Sequence, residues 1–223
     1  MASVTAARPR NPLAPRNKTS LRPARLPEDD LAEDAMIRGV EYSGTVFASQ
    51  SIELAEAEQC RFDTVRFTGM HTRQVVFCDA TFDTCDFASV RADDTSLVRA
   101  EVVSSRVTGS SWSKSHFHDV RFENCRADLS LWRHSKFKAI VFTNCNLTQA
   151  DFQFAEMRDV LFQGCDLTGA QFAHLNAQRV RFENCTLLDV GGATHLKGAT
   201  VQGPGAMELA LALARDAGIR IEP

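Results

Sequence analysis

The sequence has no apolar run near the roughly 20 residues that a bilayer-spanning helix needs, so no membrane span is expected. Its first residues lack the apolar stretch of a signal peptide, which points to a cytoplasmic protein. Neither sign of charge dominates: the formal net charge is −3, which argues for neither a nucleic-acid partner nor strong exclusion of anions. Seven cysteines are present without a CxxC pair, and in a reducing cytoplasm they are expected as free thiols rather than a disulfide framework. No nucleophile elbow, phosphate loop or paired-carboxylate site is found, so neither an enzyme nor a cofactor is expected. Tyrosine is almost missing, with one against 15 phenylalanines. That imbalance suggests one buried environment used many times.

What is present is repetition. The hexapeptide VRFENC occurs at 120–125 and again at 180–185, with looser copies between, so that cysteines fall at 125, 145, 165 and 185. Every fifth residue from Ile37 to Leu187 makes 31 positions, of which only Thr72 is polar. This set holds both Trp and 14 of the 15 Phe, the exception being Phe154. Two residues earlier runs a second set, mostly small or aliphatic, which contains every cysteine but Cys78. The other three positions of each five are mostly polar.

A period of five fits neither a helix nor an extended strand. It fits a square coil in which each side turns one small and one large residue inward and then bends. Asn124, Asn144, Gly164 and Asn184 stand at bends, where their types tolerate positive φ. Four sides make 20 residues, so equivalent residues stack at about 4.8 Å and the rod is roughly 35–40 Å long. Like then stacks on like, as in the column Phe62, Phe82, Val102, Phe122, Phe142, Phe162, Phe182. The expected fold is an all-β solenoid.

With blocks such as Ala150-Asp151-Phe152-Gln153-Phe154 and Ala170-Gln171-Phe172-Ala173-His174, the chain resembles the pentapeptide-repeat family over about two thirds of its length. The resemblance implies a right-handed quadrilateral β-helix.

The ends differ from the middle. Residues 1–26 hold six Lys/Arg and no acid, and five of the seven prolines lie within 1–27, so 1–30 reads as a disordered basic, proline-rich arm. The β-helix is expected over 31–202, with Gly191-Gly192 shifting its register by one. Residues 203–223 are expected as a C-terminal α-helix (206–217, stopped by Gly218) and a short strand. One flank of this helix should cover the open end of the solenoid. The surplus apolar residues, Met207, Leu209, Leu211, Leu213, Ile219 and Ile221, suggest a two-fold homodimer, with a monomeric cap as the alternative.

For a site, the cysteine column is the tempting choice. Its members stand at inward small positions, interchangeable with Val65 and Ser105, and no His is inward to complete a metal set. A packing ladder without metal is expected. Attention moves to the surface, where charge is banded along the chain. The acidic candidates for partner binding are Glu53, Glu56, Glu58, Asp63, Asp79, Asp83, Asp86, Asp93 and Asp94, whereas 99–138 is rich in Lys and Arg. Val141 and Leu161 form a candidate apolar contact pair.

Within the family, the uninterrupted register, the acidic balance of the coils and the apolar C-terminal helix resemble the MfpA/Qnr-like branch. That resemblance implies a non-catalytic dimer that mimics DNA and binds DNA gyrase or another type II topoisomerase. Such a protein modulates its target or gives resistance to quinolones or other topoisomerase poisons, and its repeats bind no nucleic acid directly. The competing reading is a structural scaffold, a rod that holds another protein without topoisomerase contact. Charge layout separates the two: a mimic needs one continuous acidic face about 30 Å long, whereas alternating signs on every face favour the scaffold.

Overall fold

The computed structural model of the chain describes residues 8–16 and 20–221. The five-residue pattern closes into four parallel ladders, each stepping by 20 residues. The first pairs Tyr42 with Phe62 and Phe62 with Phe82, then runs through Val102, Phe122, Phe142 and Phe162 to Phe182. The ladder preceding it along the chain joins Ile37, Ala57, Phe77, Leu97, Phe117, Phe137, Met157 and Ala177. A third joins Ile52, Thr72, Ala92 and Trp112, and continues as bridges from Leu131 to Gly191. The fourth is a run of single bridges from Val46 to Thr186. This is the four-sided parallel solenoid that the sequence predicts.

The bends explain why a side is five residues long. Asn124, Asn144, Gly164 and Asn184 have φ of 53°, 51°, 62° and 51°. Leu129 and Phe154, at equivalent bends, take 58° and 60°. A residue with a β-carbon gives up roughly 1–2 kcal/mol there. The ladder bonds on either side and the stacked interior offset that cost. Phe62 and Phe82 lie 4.8 Å apart and 6° from parallel, and Trp112 and Trp132 lie 5.8 Å apart and 8° from parallel.

Interior polar atoms find partners by the same periodicity. The indole N–H of Trp112 donates to Ser110 at 2.8 Å, and that of Trp132 to Ser130 at 2.6 Å. Both serines occupy the small inward position two residues before the ring. Thr72, the polar exception in the large set, faces Thr95 with hydroxyls 2.9 Å apart. Each exception is thus a matched pair, which removes the cost of a buried unpaired group.

The N-terminal end departs from the expectation of a disordered arm over 1–30. Residues 8–16 lie against the solenoid, and Arg22–Pro23 pairs in parallel with Val40 and Glu41. Buried Asp29 accepts from the Arg22 guanidinium and from the Arg25 amide (2.8 Å), while Leu31 enters the core. The Arg22 guanidinium holds the Asp29 carboxyl down at about 2. Composition suggested disorder because few apolar residues are present; backbone pairing and carboxylates supply the contacts instead. The remainder of the expected arm, 1–7 and 17–19, lies outside the described residues. The single Tyr is explained here. Its hydroxyl donates to the Asp29 carbonyl at 2.7 Å, a partner that exists only at the end of the stack.

At the other end Phe182 pairs with Val201, a step of 19 made where Gly191-Gly192 shifts the register. Gly192 has φ 68°, and a β-carbon there would sit 2.4 Å from the Ala173 nitrogen, so only glycine fits. The helix Gly205–Asp216 closes the end, with Gly205 and Ala212 buried. Its side chains take the place of a next coil: Glu208 accepts the Leu187 amide at 2.6 Å, and Arg215 donates to the Val190 carbonyl at 2.7 Å. Leu209, expected on the dimer flank, packs on the core as part of this cap. The short strand expected after the helix is not formed among the described residues; Thr200–Gln202, before the helix, carries the last pairing.

Candidate partner-binding surface

The interior cysteines pack as the small inward residues of their columns. Cys85, Cys125, Cys145, Cys165 and Cys185 are buried and free, and each thiol donates to backbone carbonyls, as Cys125 does to Val102 at 3.3 Å. Burial pushes the thiols of Cys60 and Cys85 up, the latter to about 12, so they stay neutral hydrogen-bond donors at physiological pH. Among the described residues no three His, Cys, Asp or Glu side chains converge as a metal set.

The nine acidic candidates are not brought together. A run of 16 residues in sequence turns through three or more sides of a square coil, so a band along the chain becomes a ring around the rod. Glu53 lies on the Trp112 side, where Arg73 meets it at 2.5 Å. Glu58 meets Arg38 at 3.3 Å on the Phe117 side, which also carries Glu56, and Asp86 meets Arg106 at 3.9 Å on the ladder of single bridges. Asp93 and Asp94 belong to the Trp112 side and its bend, and Asp94 lies 3.9 Å from His116. Asp79 is buried at a bend and bound by Arg99 at 2.6 and 2.8 Å, which holds its carboxyl below the usual range. Asp63 and Asp83 alone stack like on like, on the Phe62 side, between Ser43 and Val103. In the columns bearing Glu41, Glu53 and Glu58, the residue bonded to each acid is an arginine one coil away.

Besides single exposed side chains such as Met36 and Leu54, two apolar features extend over several residues, and sequence reasoning placed Phe154 outward but missed its ring stack. Phe154, the phenylalanine outside the register, is 45% exposed at a bend. It stacks between His134 (5.0 Å) and His174 (4.6 Å), and His174 continues to His195 (5.0 Å). The 20-residue spacing of 134, 154 and 174 was the available signal. Leu131 is exposed in the same coil as His134. The candidate pair Val141 and Leu161 does not form such a patch: the two are ladder neighbours, but Val141 is 4% exposed.

The second feature is the outer flank of the C-terminal helix. Met207 is 70% exposed, and Leu211, Leu213, Ile219 and Ile221 are exposed too. Met207 and Leu211 are one helical turn apart, so they share a face away from Ala212 and Leu209.

Residues 115–191 match the family model described as "Pentapeptide repeat region". No curated protein matches the chain. Among solved structures it is similar to HetL, a pentapeptide repeat protein involved in heterocyst differentiation regulation from the cyanobacterium Nostoc sp. (14% identity, 76% of this chain and 87% of that one, TM-score 0.40). It is also similar to QnrB1, a plasmid-mediated fluoroquinolone resistance protein (16% identity, 89% of this chain and 95% of that one, TM-score 0.33). A third is a pentapeptide repeat protein of the Arabidopsis thaliana thylakoid lumen (18% identity, 61% and 67%, TM-score 0.25). Residues 115–191 thus carry a pentapeptide-repeat region, and the coils before and after it keep the same five-residue register.

Proposed function

We propose that the chain is a non-catalytic rod that dimerises through its C-terminal helix and holds a protein partner on its outward columns. The observation that carries this reading is the contrast between charge and apolar surface. Glu41, Glu53, Glu58, Asp79 and Asp86 are each matched to an arginine one coil away, which weakens the field along their columns, whereas rings and aliphatic side chains stay exposed at Phe154 and along Met207 and Leu211. Dimerisation is tested on the full chain by light scattering. Wild type is expected at twice 24.6 kDa, and Met207→Glu with Leu211→Glu at 24.6 kDa with unchanged far-UV circular dichroism. A wild-type mass of 24.6 kDa contradicts the dimer.

The topoisomerase reading remains the second. What favours it is the stack of Asp63 on Asp83, with Glu101 close by on the same side. That run is one coil step, about 4.8 Å, against the 30 Å or so that several phosphate spacings require. The scaffold reading therefore ranks first, and a gyrase assay separates the two.

A further inference from the structure

The arm and the solenoid share a common measure. The amides of Arg10, Leu13 and Arg16 donate to Asp159 (3.3 Å), Asp119 (3.1 Å) and Asp79 (2.9 Å). Three residues along the arm therefore match 40 residues, two coils, along the rod. A polyproline II segment rises about 9.3 Å in three residues, and two coils rise about 9.6 Å, so the steps agree without strain. Prolines stand at 9, 12 and 15, the residue before each donor, and all three are half-buried while the residues between them are exposed. Pro fixes the backbone in that extended form in advance, which lowers the entropy lost on docking.

The bend column under the arm reads Asp79, Arg99, Asp119, Ala139, Asp159, Arg179. Arg99 neutralises Asp79, and Arg179 neutralises Asp159 through bonds of 2.6 and 2.7 Å. Asp119 is as buried as they are but has Ala139 where an arginine would stand. The Arg10 guanidinium fills that place at 2.6 Å. Between the Asp119 and Asp159 anchors the outward residues Ala139 and Val141 are 0% and 4% exposed, as in a covered groove.

We propose that the column of Asp79, Asp119 and Asp159 is a binding groove for a basic polyproline II segment with proline at every third residue, and that residues 8–16 are its resident, exchangeable ligand. The groove reads three features of its ligand: an amide every third residue, a proline before each, and a cation over Asp119. Removing the strap leaves Asp119 without its cation and uncovers a groove that accepts a segment of the same kind in trans.

Two measurements test this on the full chain. Amide hydrogen exchange by NMR is expected to show Arg10, Leu13 and Arg16 at least tenfold slower than Asn11 and Ala14, after correction for intrinsic rates. Equal exchange at all five overturns the proposal. Arg10→Glu sets a carboxylate against Asp119 and is expected to free the groove. A fluorescent, end-capped peptide of residues 8–16 should then bind the variant saturably, and bind wild type at least tenfold more weakly. The same peptide with its prolines moved out of three-residue spacing, or a second substitution Asp119→Asn, should cost tenfold or more. Protection in cis without saturable binding in trans also overturns the proposal, because the strap would then be a fixed part of the fold.

Discussion

Replacing Phe142 by alanine is expected to lower the stability of the chain by about 3–5 kcal/mol, roughly a fifth or more of what a domain usually has. The ring is 1% exposed and stacks on Phe122 at 4.8 Å and on Phe162 at 5.0 Å. Trp132 and Phe152 close it edge-on at 6.5 Å each. The cavity cannot collapse, because ladder bonds fix the neighbouring coils at strand spacing on both sides. In a solenoid each coil is supported only by its neighbours, so the weakened coil uncouples the two halves. A urea titration followed by circular dichroism should show a lower midpoint, and a broader or two-step transition. Phe154→Ala, at a 45% exposed bend, should lower the stability by less than about 1 kcal/mol.

Deleting one residue is expected to do more damage than deleting 20. Without Asn146, the inward places after Cys145 fall to Thr148, Asp151, Gln153, Glu156 and Arg158. Burying those charges costs more than the fold can supply. A one-residue slip is tolerated at 191–192 because two glycines take it up, and no glycine stands near 146. Excising 141–160 instead joins Ile140 to Leu161 and leaves every later side chain in its column. The 20-residue deletion should be soluble with an unchanged circular dichroism shape and a cooperative melt. The single deletion should be insoluble, or lose signal from the C-terminal half.

The interior was legible in the sequence because a period of five has one structural meaning: each inward place repeats, and even the exceptions at Thr72 and the two tryptophans carry their partners at fixed offsets. The surface was less legible. Acidic bands read as patches along the chain, but successive sides face four directions, so Glu53, Asp63 and Asp86 look out from different faces. The charge partners are 20 residues away, beyond any window in which composition is counted. The ring ladder at His134, Phe154 and His174 had its signal in the same 20-residue spacing, overlooked because Phe154 broke the five-residue one.

The arm is the instructive case. Low apolar content argued for disorder over 1–30, yet the prolines at 9, 12 and 15 were already spaced for a polyproline II strap. Recognising it needs the coil pitch and the alternate-coil carboxylates together, and neither is local to residues 8–16. Leu209 shows a smaller effect of the same kind. Its place on the cap rather than the outer flank depends on how the helix is rotated over the last coil, which Glu208 and Arg215 set through their bonds to Leu187 and Val190.

The central functional claim is that paired charges make this rod a protein-holding surface rather than an imitation of DNA. Gyrase supercoiling, assayed with and without a quinolone, tests it most directly. With the full chain at up to about 10 µM, far above the concentration at which a charge-complementary complex of ordinary interface size would form, supercoiling and quinolone sensitivity should be unchanged. Inhibition of supercoiling, or protection from the quinolone, in that range would contradict the account.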